Sequence, residues 1–241
     1  MKIMIIGGAS GIGLALAKYY LQQGAQIAIC GRNLKRIDLE QHANIRLYEF
    51  DIADKSAVSE AMDDFAGDAI DMLIVTAGLY FNTRAHQLDA AATMRMLQTN
   101  VTGLNNAFEL AAGKMLARRA GHLVAISSVA GLLQDYPGAS LYGATKRAVI
   151  VLCETYRKAL APFSIAVTVI VPGYIDTAKL RELNNGDASR KPFLLSEQQA
   201  VEHIVKAIEK RKARHVFPWQ MHWLTNIFNS LPPYVKRLVR K

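Results

Sequence analysis

The sequence predicts an α/β fold, a doubly wound parallel sheet of about seven strands with helices on both faces. Short apolar runs rich in β-branched residues alternate along the chain with longer amphipathic segments, an order that is typical of parallel sheets. The first run also ends in a glycine-rich turn that leads straight into a helical segment. With 241 residues, 51% of them hydrophobic, the chain is long enough for a single domain with a sizeable core.

The predicted strands are the short apolar runs. In chain order they cover residues 2–6, 26–30, 46–50, 72–76, 121–127, 165–171 and 215–217. The predicted helices lie between them, at residues 12–23, 55–65, 88–118, 141–160 and 197–212. The last helix begins with a capping box, in which Ser196 pairs with Gln199.

Two segments toward the carboxyl end depart from this alternation. Residues 174–195 are irregular and rich in Asn, Gly, Lys and Arg, and long loops of this kind often form lids over binding sites. Residues 213–241 join an aromatic, apolar stretch to a basic end. We therefore interpret residues 1–241 as one domain that carries a lid and a basic, aromatic carboxyl-terminal segment.

The net charge of +9 is concentrated in that carboxyl-terminal part. Residues 205–241 contain nine Lys and Arg residues and one acidic residue, Glu209, whereas the rest of the chain is close to neutral. This distribution argues against a general nucleic-acid partner. The aromatic segment has two interpretations. It is either a helix packed over a substrate pocket or a second subunit, or a peripheral membrane contact with cations on anionic headgroups.

Cysteine usage and hydropathy bear on where the protein works. Cys30 and Cys153 are far apart and lack metal-ligand spacing, so we interpret them as reduced, buried thiols of a cytoplasmic protein. No uninterrupted apolar run reaches the ~18 residues that a membrane-spanning helix requires. The sequence predicts no metal site.

A dinucleotide site is predicted at the first strand-to-helix turn, which reads Gly7-Gly8-Ala9-Ser10-Gly11-Ile12-Gly13. Glycine permits the tight turn and lets backbone N–H groups approach a pyrophosphate at the positive end of the helix. Glycine is common in any tight turn, but its position in the first strand–turn–helix unit favours a bound cofactor. The sheet is then expected to be of the Rossmann type.

The end of the second predicted strand indicates which dinucleotide is bound. An acidic residue there would accept the ribose 2′-hydroxyl of NAD, but the chain has Gly31-Arg32-Asn33. Gly31 leaves room and Arg32 can hold a 2′-phosphate, so NADP(H) is favoured over NAD(H). After the third strand, Asp51 and Ile52 are placed to meet the adenine or, alternatively, to begin the next helix.

Tyr142 and Lys146 indicate proton-transfer chemistry. They are four residues apart on a predicted helix, so both side chains project from one face. A phenol has a pKa of ~10, too high for easy proton transfer at neutral pH, and a neighbouring ammonium should lower that pKa. The same spacing occurs by chance on ordinary amphipathic helices, so the pair gains meaning only beside a cofactor site.

Together these residues resemble the short-chain dehydrogenase/reductase family, in its short single-domain branch, over residues 2–177. The matching positions are Gly7-x-x-x-Gly11-x-Gly13, Ala77-Gly78, Asn100, Ser128, Tyr142, Lys146 and Pro172-Gly173-x-x-x-Thr177. The chain departs from the family pattern at Ile6, where Thr is usual, and at Val75-Thr76, where the family has two Asn residues. We expect these departures to loosen the support of the fourth strand and the first turn.

The resemblance implies an oxidoreductase that moves a hydride between a nicotinamide and a carbonyl or alcohol carbon. Tyr142 would be the acid/base, Lys146 would lower the Tyr142 pKa and hold the nicotinamide ribose, and Ser128 would bond the substrate oxygen. Asn100 would hold a water that links Lys146 to solvent. Ser128 lies one residue farther from Tyr142 than the family pattern has it, so the neighbouring Ser127 is the alternative. Adjacent side chains of a strand point to opposite faces, so only one of the two can reach the site. Ser128 is the preferred assignment, because Val129-Ala130-Gly131 after it matches the family's usual continuation.

The resemblance also implies the cofactor contacts, the substrate class and the assembly. The implied cofactor-binding residues are Gly7, Ser10, Gly11, Ile12, Gly13, Arg32, Asp51, Ile52, Ala77, Gly78, Asn100, Tyr142, Lys146, Pro172, Gly173, Ile175 and Thr177. The partners would be a small carbonyl or alcohol compound and further copies of the chain, in a homodimer or homotetramer. The alternative is a catalytically silent NADP-binding sensor of the same fold, which would not need the catalytic side chains.

Substrate specificity is expected to come from Leu132, Leu133, Tyr136, Tyr174 and the rest of the 174–195 segment. These residues are mostly apolar or aromatic, which favours a medium-sized hydrophobic carbonyl compound. Simple packing is the alternative role for each of them.

Overall fold

The computed structural model describes residues 1–35, 37, 42–67, 69–80, 89–133, 140–232 and 235. Its strands are β1 Lys2–Ile6, β2 Gln26–Gly31, β3 Ile45–Glu49, β4 Met72–Val75, β5 Gly121–Ile126, β6 Ile165–Pro172 and β7 Arg214–Phe217. They form one parallel sheet in the order β3-β2-β1-β4-β5-β6-β7. The predicted fold class is confirmed, and every strand end lies within one residue of its predicted position.

The helices of the described residues pack on both faces of the sheet. They are α1 Gly11–Gln22, α2 Lys55–Ala66, α3 Ala90–Leu97, α4 Leu104–Arg118, α5 Leu141–Leu160, α6 Ala178–Glu182, α7 Glu197–Glu209 and α8 Trp219–Ser230. The predicted bounds of α5 are confirmed, as is the capping box of Ser196 and Gln199 before α7. α7 ends at Glu209 rather than at residue 212, because the chain leaves the helical conformation at Arg211, which has a φ of 46°.

Alternate side chains of β1 belong to two different cores. Met4 and Ile6 pack in the core that includes residues of α2, α4 and α5, whereas Ile3 and Ile5 pack with residues of α1 and α7. Such alternation is expected of a central strand that is covered by helices on both faces. Helices therefore cover both faces of the sheet, and the ends of the strands remain as the place for a ligand.

The strand order reverses next to β1, and this reversal positions the site. β1 pairs with β2 on one side and with β4 on the other. Open parallel sheets bind ligands in the crevice at the carboxyl ends of such strands, because the connections leave in opposite directions. The glycine-rich turn after β1 and the loop after β4 both lie at this crevice.

The predicted continuous helix over residues 88–118 is wrong. Between α3 and α4 the chain forms a short π-helical segment, Gln98–Gly103, which contains Asn100. Such segments are rare and occur frequently at functional sites, where side chains make bonds outside the helix. Asn100 does so here, since its amide bonds residues of two other segments.

Some predictions fall outside the described residues. They are the role of Tyr136, the helix start at residue 88 and most of the basic end at 233–241. Within the part of the chain that the structure describes, no helix combines the length and the apolarity that crossing a bilayer requires.

Candidate active site

The glycine-rich turn is pressed against neighbouring backbone. The N–H groups of Gly7 and Gly8 donate to the Cys30 carbonyl at 2.8 and 3.2 Å, which fixes the turn over the end of β2. A Cβ atom on Gly7 would lie 2.4 Å from the Ala77 nitrogen, and one on Gly13 would lie 2.3 Å from the Gly7 carbonyl oxygen. Gly7 and Gly11 also have positive φ values, 92° and 51°, that side chains disfavour. Only glycine fits at Gly7 and Gly13 without displacing the backbone.

The start of α1 has the features of an anion site. Ser10 precedes the helix in an extended conformation and, among the described residues, makes no side-chain capping bond. The first-turn N–H groups therefore retain their capacity to donate, and the helix dipole favours negative charge there. A pyrophosphate fits this combination of free donors and closely packed glycines.

Thr76 supports the turn in place of the missing Asn pair. Its hydroxyl donates to the Ile6 carbonyl at 3.2 Å, and the N–H groups of Thr76 and Ala77 donate to the same oxygen at 2.8 and 3.0 Å. The expected loosening at Ile6 and Thr76 is therefore not seen in the hydrogen bonds. β4 and the turn remain joined because a shorter hydroxyl reaches the carbonyl.

The residues predicted to meet the adenosine half have different environments. Arg32 and Asp51 are both exposed, and their nearest charged atoms are 3.9 Å apart, so the pair adds little stability and leaves Arg32 able to turn. Ile52 is buried at 4% exposure, so its side chain belongs to the core and only its backbone is left for a ligand. The alternative of an N-cap region agrees with the turn before α2, where Asp51 accepts from the Ala53 N–H at 3.0 Å, although the capping residue itself is Asp54.

Tyr142 and Lys146 lie together, as predicted, near the start of α5. The Lys146 ammonium is 5.7 Å from the centre of the Tyr142 ring and donates to the Ile126 carbonyl at 3.0 Å. The lysine is buried at 4% exposure. The Ser140 hydroxyl caps α5 by accepting from the Gly143 N–H at 3.2 Å, which fixes the first helical turn and with it the position of Tyr142.

The choice between Ser127 and Ser128 is decided by their hydrogen bonds. The Ser127 hydroxyl is buried and donates to the Lys146 carbonyl at 2.7 Å, so it ties the end of β5 to α5. The Ser128 hydroxyl bonds the Tyr142 hydroxyl and accepts from the Ala130 N–H at 3.2 Å. Ser128 is therefore the serine beside the phenol, in agreement with the preferred assignment.

Asn100 joins the loop after β4 to α5. Its carbonyl oxygen accepts from the Leu79 N–H at 2.7 Å, and its NH₂ group donates to the Leu79 carbonyl and the Thr145 hydroxyl at 2.9 and 3.0 Å. Thr145 in turn donates to the Tyr142 carbonyl at 2.8 Å. These bonds connect Asn100, through the Thr145 hydroxyl, to the backbone of Tyr142. Its role in holding a water stays a prediction.

The predicted lowering of the Tyr142 pKa is wrong for this structure. Burial raises the pKa of Tyr142 to about 12, against a smaller lowering by the Ser128 hydrogen bond and with a further increase from Tyr80. The Tyr80 ring packs edge-on against Tyr142 with the ring centres 5.0 Å apart. Burial also lowers the pKa of Lys146 to about 8. Desolvation is therefore the dominant cause of both shifts, and the Lys146 ammonium donates to the Ile126 carbonyl rather than to the phenol.

The segment after β6 passes the other side of the crevice. Gly173 donates to the Phe217 carbonyl at 2.7 Å, and Thr177 caps α6 by accepting from the Leu180 N–H at 3.1 Å. A Cβ atom on Gly11 would lie 3.4 Å from Thr177, so this segment approaches the glycine turn. The two ends of the 174–195 segment, the predicted lid, are joined by backbone bonds, from the Leu195 N–H to the Tyr174 carbonyl at 3.0 Å and from the Asp176 N–H to the Leu195 carbonyl at 2.8 Å.

One cavity of about 910 Å³ connects these features. It is lined by the catalytic candidates Ser128, Tyr142 and Lys146, by Ile12 and Gly78, by Pro172, Gly173, Ile175 and Thr177, and by residues of the lid and α8. Leu133 and Tyr174, two of the predicted specificity residues, also line it. Leu132 instead packs against the core, and its carbonyl accepts from Asn229 of α8 at 2.8 Å.

The α8 lining was missed as a set of site residues by sequence analysis. Its cavity-lining residues are Met221, Leu224, Thr225, Ile227 and Phe228, joined by Leu231 directly after the helix. The apolar spacing that predicted an amphipathic segment could have found them, and this placement agrees with the interpretation that the segment packs over the pocket. Within the described residues, no group of three or more His, Cys, Asp or Glu side chains could hold a metal ion.

Comparison with known proteins decides the family. Residues 1–188 match the family model of the short chain dehydrogenases. The chain belongs to this family. An uncharacterized oxidoreductase of Myxococcus xanthus is 30% identical to this dehydrogenase over 95% of the chain and 92% of that protein. The family prediction is confirmed, and with it the class of enzyme, an oxidoreductase that acts on CH–OH and C=O groups with NAD(P).

Solved structures with bound cofactors resemble this dehydrogenase closely in fold. ElxO with NADP bound has a TM-score of 0.78 and 25% identity, over 89% of this chain and 95% of that one. A 3-oxoacyl-[acyl-carrier protein] reductase of Brucella melitensis with bound NAD has a TM-score of 0.76 and 26% identity, over 89% of this chain and 88% of that one. The two relatives hold different dinucleotides, so they leave the cofactor preference of this chain open.

Proposed function

We propose that this dehydrogenase uses NADP(H) to interconvert a carbonyl compound and an alcohol, with Tyr142 as acid/base. The observation that carries the proposal is the cluster of Ser128, Tyr142 and Lys146 inside the cavity that Ile12 of the glycine turn also lines. A proton donor, a hydrogen-bond donor and a buried cation thus share one wall. The alternative of a silent sensor would need none of the three.

The protonation state of the site suits carbonyl reduction. With a pKa of about 12, Tyr142 carries its proton at neutral pH and can give it to the oxygen of the developing alkoxide. Ser128 bonds the Tyr142 hydroxyl and, with substrate in place, can stabilise the negative charge that develops on the substrate oxygen. Lys146 adds positive charge behind the phenol and is placed to hold the ribose of the cofactor. The bound nicotinamide supplies or accepts the hydride.

The preference for NADP(H) is carried by Arg32. The end of β2 offers Gly31-Arg32-Asn33, with no carboxylate to accept a ribose 2′-hydroxyl, and Arg32 is exposed and able to turn. A guanidinium binds a phosphate through paired, charge-assisted hydrogen bonds. A homodimer or homotetramer in the cytoplasm is the remaining expectation, which size-exclusion chromatography with light scattering would test for the assembly.

Purified enzyme and its Tyr142→Phe variant test the proposal. NADPH oxidation is followed by absorbance with a panel of aldehydes, ketones and quinones, and NADPH binding is measured separately by fluorescence. We expect turnover by the wild type and its loss in Tyr142→Phe, with NADPH affinity largely unchanged because the ring remains. Normal turnover in the variant would remove Tyr142 from the mechanism, and a wild type that oxidises NADPH with no member of the panel would overturn the function.

A further inference from the structure

The cavity continues from Tyr142 between the lid and α8. On the α8 side it is lined by Leu224 and by Met221, Ile227 and Phe228, which lie three or four residues from Leu224 and so share its helix face, and by Leu231 directly after the helix. On the lid side Leu180, Leu183 and Pro192 line it. We call this part of the cavity the apolar trough. It begins at the reacting end of the site, because Ser128 and Tyr142 line the same cavity.

Several apolar side chains of the trough are exposed to solvent. Leu224, Ile227 and Leu183 retain 48%, 46% and 39% of their surface. Exposed apolar side chains that converge on one cavity are the lining expected of a binding site for an apolar ligand. Thr225, the hydroxyl-bearing residue of the α8 lining, is buried and donates to the His222 carbonyl at 2.8 Å, so its donor is already used inside the helix.

The charges around the cavity limit what can bind. Its lining residues, taken over the described part of the chain, include Lys146, Lys179 and Lys191 but no Asp or Glu. Lys179 is paired with Glu182 at 2.8 Å, and the Lys191 ammonium lies 5.4 Å from the Tyr174 ring centre. These lysines would repel a cationic substrate, whereas they would not repel a neutral or an anionic one.

We infer that the substrate is an elongated apolar carbonyl compound, an alkyl-chain aldehyde or ketone, whose chain lies in the apolar trough. Leu224 and Ile227 are then the residues that set chain-length preference. The inference rests on the proposed function and deepens it, since the carbonyl must lie at Ser128 and Tyr142 while the chain extends toward α8. A volume of about 910 Å³ is near the upper end for small-molecule sites, and it leaves room for such a chain beside a nicotinamide.

A homologous series of straight-chain aldehydes, from butanal to dodecanal, tests the inference with NADPH as the reductant. Each methylene moved from water into an apolar site contributes ~0.8 kcal/mol, so kcat/KM should rise roughly fourfold per methylene until the trough is filled. Leu224→Asn and Ile227→Asn should reduce that slope to about half or less, so their loss of kcat/KM relative to the wild type should grow with the length of the aldehyde. Both side chains are about half exposed, so these variants should fold, and NADPH affinity checks that they do.

Trp223→Asn is the matched control. It removes a larger apolar side chain from the same helix, but Trp223 is 64% exposed and does not line the cavity. Its chain-length slope should equal that of the wild type. A flat series with good butanal turnover would overturn the inference and leave the proposed function standing. An equal loss of slope in Trp223→Asn, or an unchanged slope in Leu224→Asn and Ile227→Asn, would overturn the role of the trough. Failure of every aldehyde would instead overturn the proposed function and the inference with it.

Discussion

The two ends of the cavity are built in different ways. At the glycine turn the walls are backbone, and a single added Cβ atom on Gly7 or Gly13 would lie within 2.4 Å of another main-chain atom. At α8 the walls are side chains, two of which, Leu224 and Ile227, are about half exposed. The first end is fixed by close packing and tolerates no variation, whereas the second can change its lining without disturbing the sheet.

The family match follows the same division. It covers residues 1–188, which include the turn, Asn100, Ser128, Tyr142 and Lys146, and it stops before α8. The residues of the proposed chemistry therefore lie in the matched part, and the apolar trough is completed by a helix outside it. Membership of the family therefore identifies the class of reaction but not the substrate, because α8, which completes the apolar trough, lies outside the matched residues.

The largest effect is expected from Gly13→Ala, which tests whether the glycine turn is fixed by its close packing. The added methyl group would overlap the Gly7 carbonyl, a backbone atom that cannot move without the turn, so we expect NADPH binding to be lost and the free energy of unfolding to fall by ~1–3 kcal/mol. The matched control is Gly113→Ala in α4, where nothing lies within 4 Å. There we expect unchanged binding and ~0.5–1 kcal/mol of added stability. NADPH binding by Gly13→Ala at wild-type affinity would show that the cofactor end is not fixed by backbone packing.

The next test separates the two serines. Ser128→Ala should lower kcat roughly 10²–10³-fold, because it removes a donor beside the reacting oxygen, with little change in stability. Ser127→Ala should lower the free energy of unfolding by ~1 kcal/mol and leave kcat nearly unchanged, because its hydroxyl bonds only the Lys146 carbonyl. Steady-state kinetics and urea unfolding of both variants measure the pair, and the reverse pattern would exchange the two roles.

A smaller effect is expected from the buried cation as the pH changes. The pKa of Lys146 is lowered to about 8, so between that value and the ordinary value near ~10.4 the unfolded state binds more protons than the folded state. Stability of the wild type relative to Lys146→Met should therefore rise with pH across this window, by ~1–3 kcal/mol. Urea unfolding of both proteins at several pH values gives the difference, and a flat or falling difference would contradict the burial of the charge.

The smallest effect is expected at Arg32. Replacing it by Ala should weaken NADPH binding about tenfold and leave NADH binding unchanged, because an exposed guanidinium contributes modestly to holding a phosphate. Isothermal titration with both dinucleotides measures the ratio. An equal loss for NADH would mean that Arg32 stabilises the turn and does not select the cofactor.

Local patterns in the sequence were sufficient for the sheet and for the adjacency of Tyr142 and Lys146. Strand positions follow from short apolar runs, and two residues four apart on a helix share a face whatever surrounds them. The interruption of the helix at Asn100 was not predictable in this way, because its bonding partners Leu79 and Thr145 are far away in the chain.

The sequence by itself determined the family, the glycine turn and the adjacency of Tyr142 and Lys146, since each depends on residue types at short spacing. Only the tertiary structure decided that Ser128 rather than Ser127 bonds the phenol, that burial raises the Tyr142 pKa, and that the helix is interrupted at Asn100. These three outcomes depend on which distant segments exclude water from a group or take its hydrogen bonds. Burial of that kind is a property of the packed molecule, so no local pattern carries it.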